Sequence, residues 1–406
     1  MGDFSQNGIV STLHDFKTKS TDEIEKELLE FSKERKMELI LPCLYSELEG
    51  EALPKIVSEI SKTKYLNHII IGLDKANETQ AKDAWKFFKK LKTDFTILWN
   101  DGPKLKKLDE ELKNKNLAPN QPGKGRNVWY CIGMSIARDT ARSVALHDCD
   151  IKTYDRRMLA KLFYPVVNPV FNFEFCKGYY PRIANKKMNG RVARLLVAPL
   201  LIALEKTIGN SGYLQFMKSF KYPLSGEFSF RRNVLPELRI SSDWGIEVGV
   251  LSEMQRNFSP NNICQVDLAD AYDHKHQDLS LNDETKGLSK MSIDIIKTFI
   301  KKLATQGNSF SRETFRSLKA TYYRSALDMI DIYRSDATMN GLKFDSHTEE
   351  EAVELFAINI MKAGDDFYVN PMDTPFIPTW SRVKSAIPDF LTKLKKAVSE
   401  DNKDNS

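Results

Sequence analysis

Two aspartates, Asp148 and Asp150, flank Cys149 at the end of the apolar run SVALHDCDI (residues 143–151). Carboxylates spaced i, i+2 at the mouth of a buried strand can hold a divalent cation against a diphosphate, the chemistry that anchors nucleotide-linked sugars. The same triplet can close a strand as a solvated turn, so its surroundings decide. Lys124 stands between glycines in QPGKGRN (121–127), just before a helical stretch, where an ammonium and free backbone amides can face a phosphate. The spacing of a P-loop is absent, and a plain loop is the competing reading. His274 and His276 follow the apolar run ICQVDL (263–268), so an imidazole could join a metal already held by Asp150; paired surface histidines are the plainer account.

Three more groups carry polar chemistry on the second half of the chain. Asn189, Gly190 and Arg191 fall at a predicted helix start, where amides and a guanidinium can together grip a phosphate or carboxylate, or simply cap a helix. Gly226 precedes Glu227 on a predicted strand. Glu247 sits among apolar neighbours in DWGIEVGVL on a predicted helix, and would need a partner if buried.

The elements that must position these residues are legible in the hydrophobic pattern. MELILP (37–42), NHIIIGLD (67–74), TDFTILWN (93–100) and SVALHD (143–148) are short apolar runs separated by helical stretches. Unbroken apolar strands of this kind belong to a parallel sheet covered on both faces, an α/β fold whose ligands lie beyond the carboxyl ends of the strands. Pro42, Asp74, Asn100 and Asp148 stand at those ends. Mixed strands and helices follow, with elements at 173–182, 226–232, 244–254 and 263–274 and a helix from about 191 to 206. Helical spacing then dominates at 286–304, 311–334 and 348–363. The expected division is a helical lead-in at 1–36 with Ser20 or Thr21 as its cap, a nucleotide-binding domain at 37–280, a helical region at 281–398 and a disordered polar tail at 399–406.

Composition narrows the function. Lys and Arg number 60 against 55 Asp and Glu, a net charge of +5, which is no nucleic-acid signature but permits a basic pocket for a small anion. The five cysteines are scattered and lack a CxxC pair, excluding a disulfide framework or structural zinc site and fitting the cytoplasm. The start MGDFSQNGIV has no apolar leader, and the longest apolar run, 195–204, is about half a membrane span and contains Pro199, so no membrane partner is expected.

Taken as an ordered set, Pro-Gly-Lys-Gly, Asp-x-Asp, Asn-Gly-Arg, Gly-Glu, Trp-Gly-Ile-Glu-Val-Gly and a late histidine resemble the glucosyl-3-phosphoglycerate synthases, with the related mannosyl enzymes close behind. Both are retaining glycosyltransferases of the GT-A fold. The resemblance covers about residues 37–280. It implies that Pro42, Cys43 and Leu44 border the donor nucleotide, with Glu47 and Asp74 nearby, and that Lys124, Asp148 and Cys149 belong to the donor pocket. It implies metal ligation by Asp150 and His274, an acceptor site of Asn189, Gly190, Arg191, Gly226 and Glu227, and Glu247 near the acceptor hydroxyl. Mg²⁺ or Mn²⁺ is the expected cofactor, and a nucleotide sugar and 3-phosphoglycerate are the expected substrates.

Two departures bear on this expectation. Tyr45, Ser46 and Glu47 replace the usual Asn-Glu-Glu, which bears on a ribose contact, and Ala193 replaces a threonine whose hydroxyl would bind phosphate, so free glycerate is the alternative acceptor; the related mannosyl enzymes make mannose the alternative sugar. The rivals from other classes are an Asp-x-Asp phosphatase, disfavoured by Lys152 where Thr or Val is usual, and a catalytically silent nucleotide-sugar sensor. A homodimer is expected from the aromatics Phe315, Tyr322, Tyr323, Tyr333 and Phe356 of the helical region, which need a covering surface either in the chain itself or in a second copy.

Overall fold

The computed structural model describes residues 6, 8–119, 121–274, 287–371 and 376–405. Its strands are β1 (Ser11–Leu13), β2 (Met37–Leu44), β3 (Leu66–Asp74), β4 (Phe95–Trp99), β5 (Ser143–Leu146), β6 (Phe175–Tyr179), β7 (Ile183–Ala184), β8 (Lys187–Met188), β9 (Phe228–Arg231) and β10 (Ile263–Asp267). Eight of them form one sheet in the order β1-β10-β6-β9-β5-β2-β3-β4, while β7 and β8 make a small hairpin. All neighbours in the large sheet run parallel except β9, which is antiparallel to both β5 and β6. The expected parallel sheet therefore holds with one reversed strand, and that reversal carries Gly226 and Glu227 to the sheet end where β5 delivers Asp148.

Successive residues of β2 explain its apolar run: Ile40 joins the core on one face of the sheet, Leu39 and Leu41 the core on the other. Both faces are covered by helices α1 (Thr21–Phe31), α2 (Ala52–Ile60), α3 (Glu78–Phe88), α4 (Pro103–Lys113), α5 (Lys124–Arg138), α6 (Arg156–Val167), α7 (Ala198–Ile208), α8 (Gly212–Lys218) and α9 (Ile246–Asn257). Ser20 caps α1 in a reciprocal capping box with Glu23. At the end of the central strands opposite the site, arginines serve helix C-termini. Arg35 donates to the carbonyls of Val167 and Asn168, Arg231 to that of Val166 and Arg232 to that of Ile136. These groups line a cavity of about 490 Å³, and their use on carbonyls accounts for the arginine cluster.

The ends of the chain depart from the expected division. Residues 11–13 extend the sheet as β1 beside β10, so the lead-in is part of the α/β unit. Helices α10 (Gly287–Ala304), α11 (Arg312–Met339), α12 (Ser346–Val369), α13 (Trp380–Ala386) and α14 (Phe390–Asn405) complete the molecule. α11 packs on α7, α10 on α9, and α12 on both α10 and α11. Phe315, Tyr322 and Phe356 are buried in this packing, and the Tyr322 hydroxyl donates to the Leu195 carbonyl at 2.6 Å. The chain's own core thus covers those three aromatics, while Tyr323 stays exposed on α11. Residues 399–405 are helical rather than disordered, because α14 lies along α4, α5 and β4. His276 and the 280/281 boundary lie outside the described residues. Among the described residues no helix is long and apolar enough to cross a membrane.

Candidate active site

Gly123, at φ 146°, turns the chain into α5 and makes Lys124 its first residue. The Lys124 ammonium lies 2.6 Å from Asp148 Oδ1 and donates to Glu247 Oε1 at 3.2 Å, joining the start of α5, the end of β5 and the first turn of α9. Burial alone would lower its pKa. The carboxylates of Asp148 and Glu247 outweigh burial and hold it well above the usual lysine value. The side chain remains 31% exposed to the cavity it lines. A β-carbon at Gly226 would fall 2.3 Å from Asp148 Oδ2 and 2.9 Å from Lys124 Nζ, so the backbone passes this pair only because residue 226 is glycine.

Asp150 faces another way. Its Oδ2 is 3.4 Å from His274 Nδ1, and its Oδ1 is buried with no hydrogen-bond partner among the described residues. Burial would raise the carboxyl pKa, but the imidazole of His274 and the charge of Lys124 hold it below the usual value. A buried carboxylate oxygen left without a donor fits a cation as its missing partner, and the carboxylate-imidazole pair suits Mg²⁺ or Mn²⁺. Among the described residues no group of three or more His, Cys, Asp or Glu side chains could hold a metal ion, so other ligands would have to come from substrate or water.

The predicted donor residues line up along the ends of β2 and β3, where Leu44 pairs in register with Asp74. Leu44 is exposed, and Glu47 lies in the short 3-10 turn Tyr45–Glu49 that follows. Cys43 and Cys149 are buried; the neighbouring Cys43 thiol and burial push the Cys149 pKa up, so Cys149 is a neutral packing group. Burial lifts Asp74 to about 6, against the pull of Arg126. Arg126 is itself tied to Asp109 and was not singled out from sequence, although it lies in the same Gly-Lys-Gly-Arg segment.

Around the predicted acceptor residues, a cavity of about 220 Å³ brings together Lys124, Asp148, Asn189, Gly190, Arg191, Gly226, Glu247 and His274. Gly190 takes φ +76°, and Arg191 opens the π-helical turn Val192–Val197 that leads into α7. Glu227 is not in that lining. It is fully buried behind it, accepting from the hydroxyls of Tyr180 at 2.6 Å and Tyr272 at 2.9 Å, whose rings stack 3.6 Å apart. Burial and the Asp148 charge push its pKa up, against those hydroxyls. Lys177, drawn down to about 8 by burial, donates to the Ser225 carbonyl and braces the same turn. The cavity also holds Arg182, Tyr222 and Trp244, and the α10 residues Leu288 and Met291. Of these, only Trp244 stood in a recognised motif; the α10 wall comes from a region with no motif at all.

No family model matches the chain. A glucosyl-3-phosphoglycerate synthase of Persephonella marina is 44% identical over 405 residues, covering 100% of both chains. The chain belongs to the glucosyl-3-phosphoglycerate synthase family. A second synthase, from Methanococcoides burtonii, is 38% identical over 406 residues, 99% of this chain and 98% of that one. Both alignments take in the C-terminal helices, so the family likeness extends well past residues 37–280. The fold is that of the GT-A glycosyltransferases. The synthase of Mycobacterium tuberculosis, solved with Mn²⁺, UDP and glucosyl-3-phosphoglycerate, superposes with a TM-score of 0.52 at 20% identity over 73% of this chain and 88% of that one.

Proposed function

We propose that the chain moves glucose from a nucleoside-diphosphate glucose to 3-phospho-D-glycerate with retention at the anomeric carbon, giving glucosyl-3-phosphoglycerate. The observation that carries this reading is one cavity in which Lys124, bound between Asp148 and Glu247, faces Arg191 and His274. The full-length family relatives and a neighbour solved with Mn²⁺, UDP-glucose and phosphoglyceric acid support the choice of sugar and acceptor.

Asp150 and His274 would hold a divalent cation, which when bound neutralises charge on the donor diphosphate. Lys124 adds a fixed positive charge where the leaving diphosphate gains negative charge, and it needs no reorganisation during transfer. Arg191, with Asn189 and the Gly190 amide, grips the acceptor phosphate and so fixes where the acceptor hydroxyl lies. Glu247, fixed by its bond to Lys124, orients that hydroxyl, and the leaving phosphate takes its proton on the same face of the sugar. Glu227 acts from behind, holding the Gly226 turn against Asp148.

A panel of UDP-, GDP- and ADP-linked glucose and mannose against 3-phosphoglycerate and D-glycerate, with Mg²⁺ or Mn²⁺ and the product anomer read by NMR, tests the reading. An α-glucosyl product formed preferentially on 3-phosphoglycerate supports it. Equal use of glycerate would overturn the phosphate role of Arg191, and phosphate release without a sugar donor would point to the phosphatase. We also carry a cytoplasmic location, supported by five free buried cysteines, and a homodimer. Light scattering at micromolar concentration should give twice the monomer mass; a monomer would end the dimer reading.

A further inference from the structure

The acceptor cavity is walled partly by the helical region, and one carboxylate there reaches the group that reads the acceptor. Glu349, in the first turn of α12, is only 5% exposed and accepts from Arg191 Nε at 2.8 Å and from Arg194 Nη2 at 2.9 Å. Arg194 is 10% exposed; it also donates to the carbonyls of Asn189 at 2.9 Å and Met188 at 3.1 Å, and its guanidinium lies 4.8 Å over the Tyr333 ring. Arg194 and Glu349 thus form a buried bracket that pins both the backbone of the Asn189-Gly190 turn and the Nε edge of Arg191. Arg191 itself stays 34% exposed and lines the cavity. A guanidinium has five donors, and the carboxylate takes only the Nε–H, which leaves the Nη edge directed by the bracket and available to an anion.

We propose that Glu349 is a positioning residue of the acceptor site, through which the C-terminal helices set the orientation of Arg191 toward the acceptor phosphate. The proposal rests on the acceptor role of Arg191 given above. An arginine at the start of a π-helical turn has several rotamers, and an anion-binding arginine gains most when its planar fork is fixed before the anion arrives. The 158 residues separating Arg191 from Glu349 mean that this fixing depends on α12 docking beside the turn.

The test is steady-state kinetics of Glu349→Gln, Arg191→Ala and the double variant, each with a thermal melt. Glutamine keeps the shape but turns a donor toward one arginine, so the acceptor KM should rise about ten-fold, the worth of one charge-assisted hydrogen bond, while kcat and the donor KM stay within about two-fold. In the Arg191→Ala background the same change should add nothing. An unchanged acceptor KM in Glu349→Gln, beside a raised one in Arg191→Ala, overturns the positioning role and leaves the acceptor reading intact. If Arg191→Ala leaves the acceptor KM unchanged, both fall. A merely structural glutamate would lower the melting temperature and depress kcat without the KM split. Glu349→Asp, which keeps the charge and shortens the reach, should give an intermediate KM and serves if the glutamine variant does not fold.

Discussion

A carboxylate beside a lysine and a carboxylate beside a histidine, two residues apart, divide the work of Asp148 and Asp150. Both residues lie past the end of β5, where the chain bends at Cys149, and the two side chains go to different partners. Asp148 is spent on Lys124; Asp150 keeps a buried oxygen open. Asp150→Ala and His274→Ala should therefore each cut metal-dependent transfer roughly 10²-fold or more with an unchanged melt. Near-normal turnover in either would sink the assignment, and a coupled assay of nucleoside-diphosphate release reads it directly. A second residue-scale effect concerns pH. His68 and His147 are buried and held neutral by that burial, each with a pKa near 3 against an ordinary 6.5. Between those values the unfolded chain binds more protons than the folded one, so stability is full above pH 6.5 and falls as the pH drops toward 3. In urea melts from pH 6 to 5, His68→Asn, which can still bond Thr96, should flatten that slope by about 1.4 kcal/mol per pH unit. An unchanged slope would mean that His68 titrates normally in the fold. These residues were legible to different degrees. Asp148, Asp150, Lys124 and His274 stood out because their chemistry is tied to strand or helix ends, which periodicity locates. Glu227 was misplaced as an acceptor contact because sequence does not say which side of a turn faces solvent, and Glu349 was missed because nothing local marks a glutamate whose partners lie over 150 residues away.

At the scale of elements, apolar runs located the strands well because both sheet faces are buried, so each strand reads as a hydrophobic block. The same logic failed for residues 399–405, whose polar sequence reads as a tail. The polar groups there are partners, not solvent-facing ornaments. β4 is the edge of the large sheet, and Asn402 covers it: its Oδ1 accepts from the Ile97 amide at 3.0 Å and from Trp85 Nε1 at 3.1 Å, and its Nδ2 donates to the Ile97 carbonyl at 2.8 Å. Asp401 meets Lys104 at 3.2 Å on the same helix. A side-chain amide that mimics a neighbouring strand protects an edge that would otherwise invite pairing with another chain. Asn402→Ala should lower stability by about 2 kcal/mol, since it strands a buried edge amide and carbonyl. Chemical denaturation measures this. A loss under about 0.5 kcal/mol, the size of an ordinary surface change, would show that the edge is satisfied by water.

At the scale of the molecule, the packing of the described residues runs across the expected boundary near residue 280. One continuous cluster of buried apolar side chains runs from Ile40 and Val128 through Leu195, Leu196 and Leu200 to Ile296, Tyr322, Phe356 and Leu394. Periodicity told us that 281–398 was helical but could not tell whether its apolar faces met the α/β half or each other, because amphipathic spacing fixes a face and not its partner. The contacts decide for the α/β half: α11 lies on α7, which follows directly from the Arg191 turn, and α14 lies on α5, which begins at Lys124. Both ends of the site therefore rest on helices contributed by the last third of the chain. A fragment ending at Ser280 would uncover Leu195, Leu196 and Leu200, which are buried in the whole protein, and would leave Arg194 without its Glu349 partner. It should be recovered as aggregate, since an exposed apolar surface of that extent is a general route to association. The full chain should instead melt in one cooperative step. A fragment of residues 1–280 that elutes as a soluble monomer, melts cooperatively and still binds nucleotide would show that the two halves are independent domains after all.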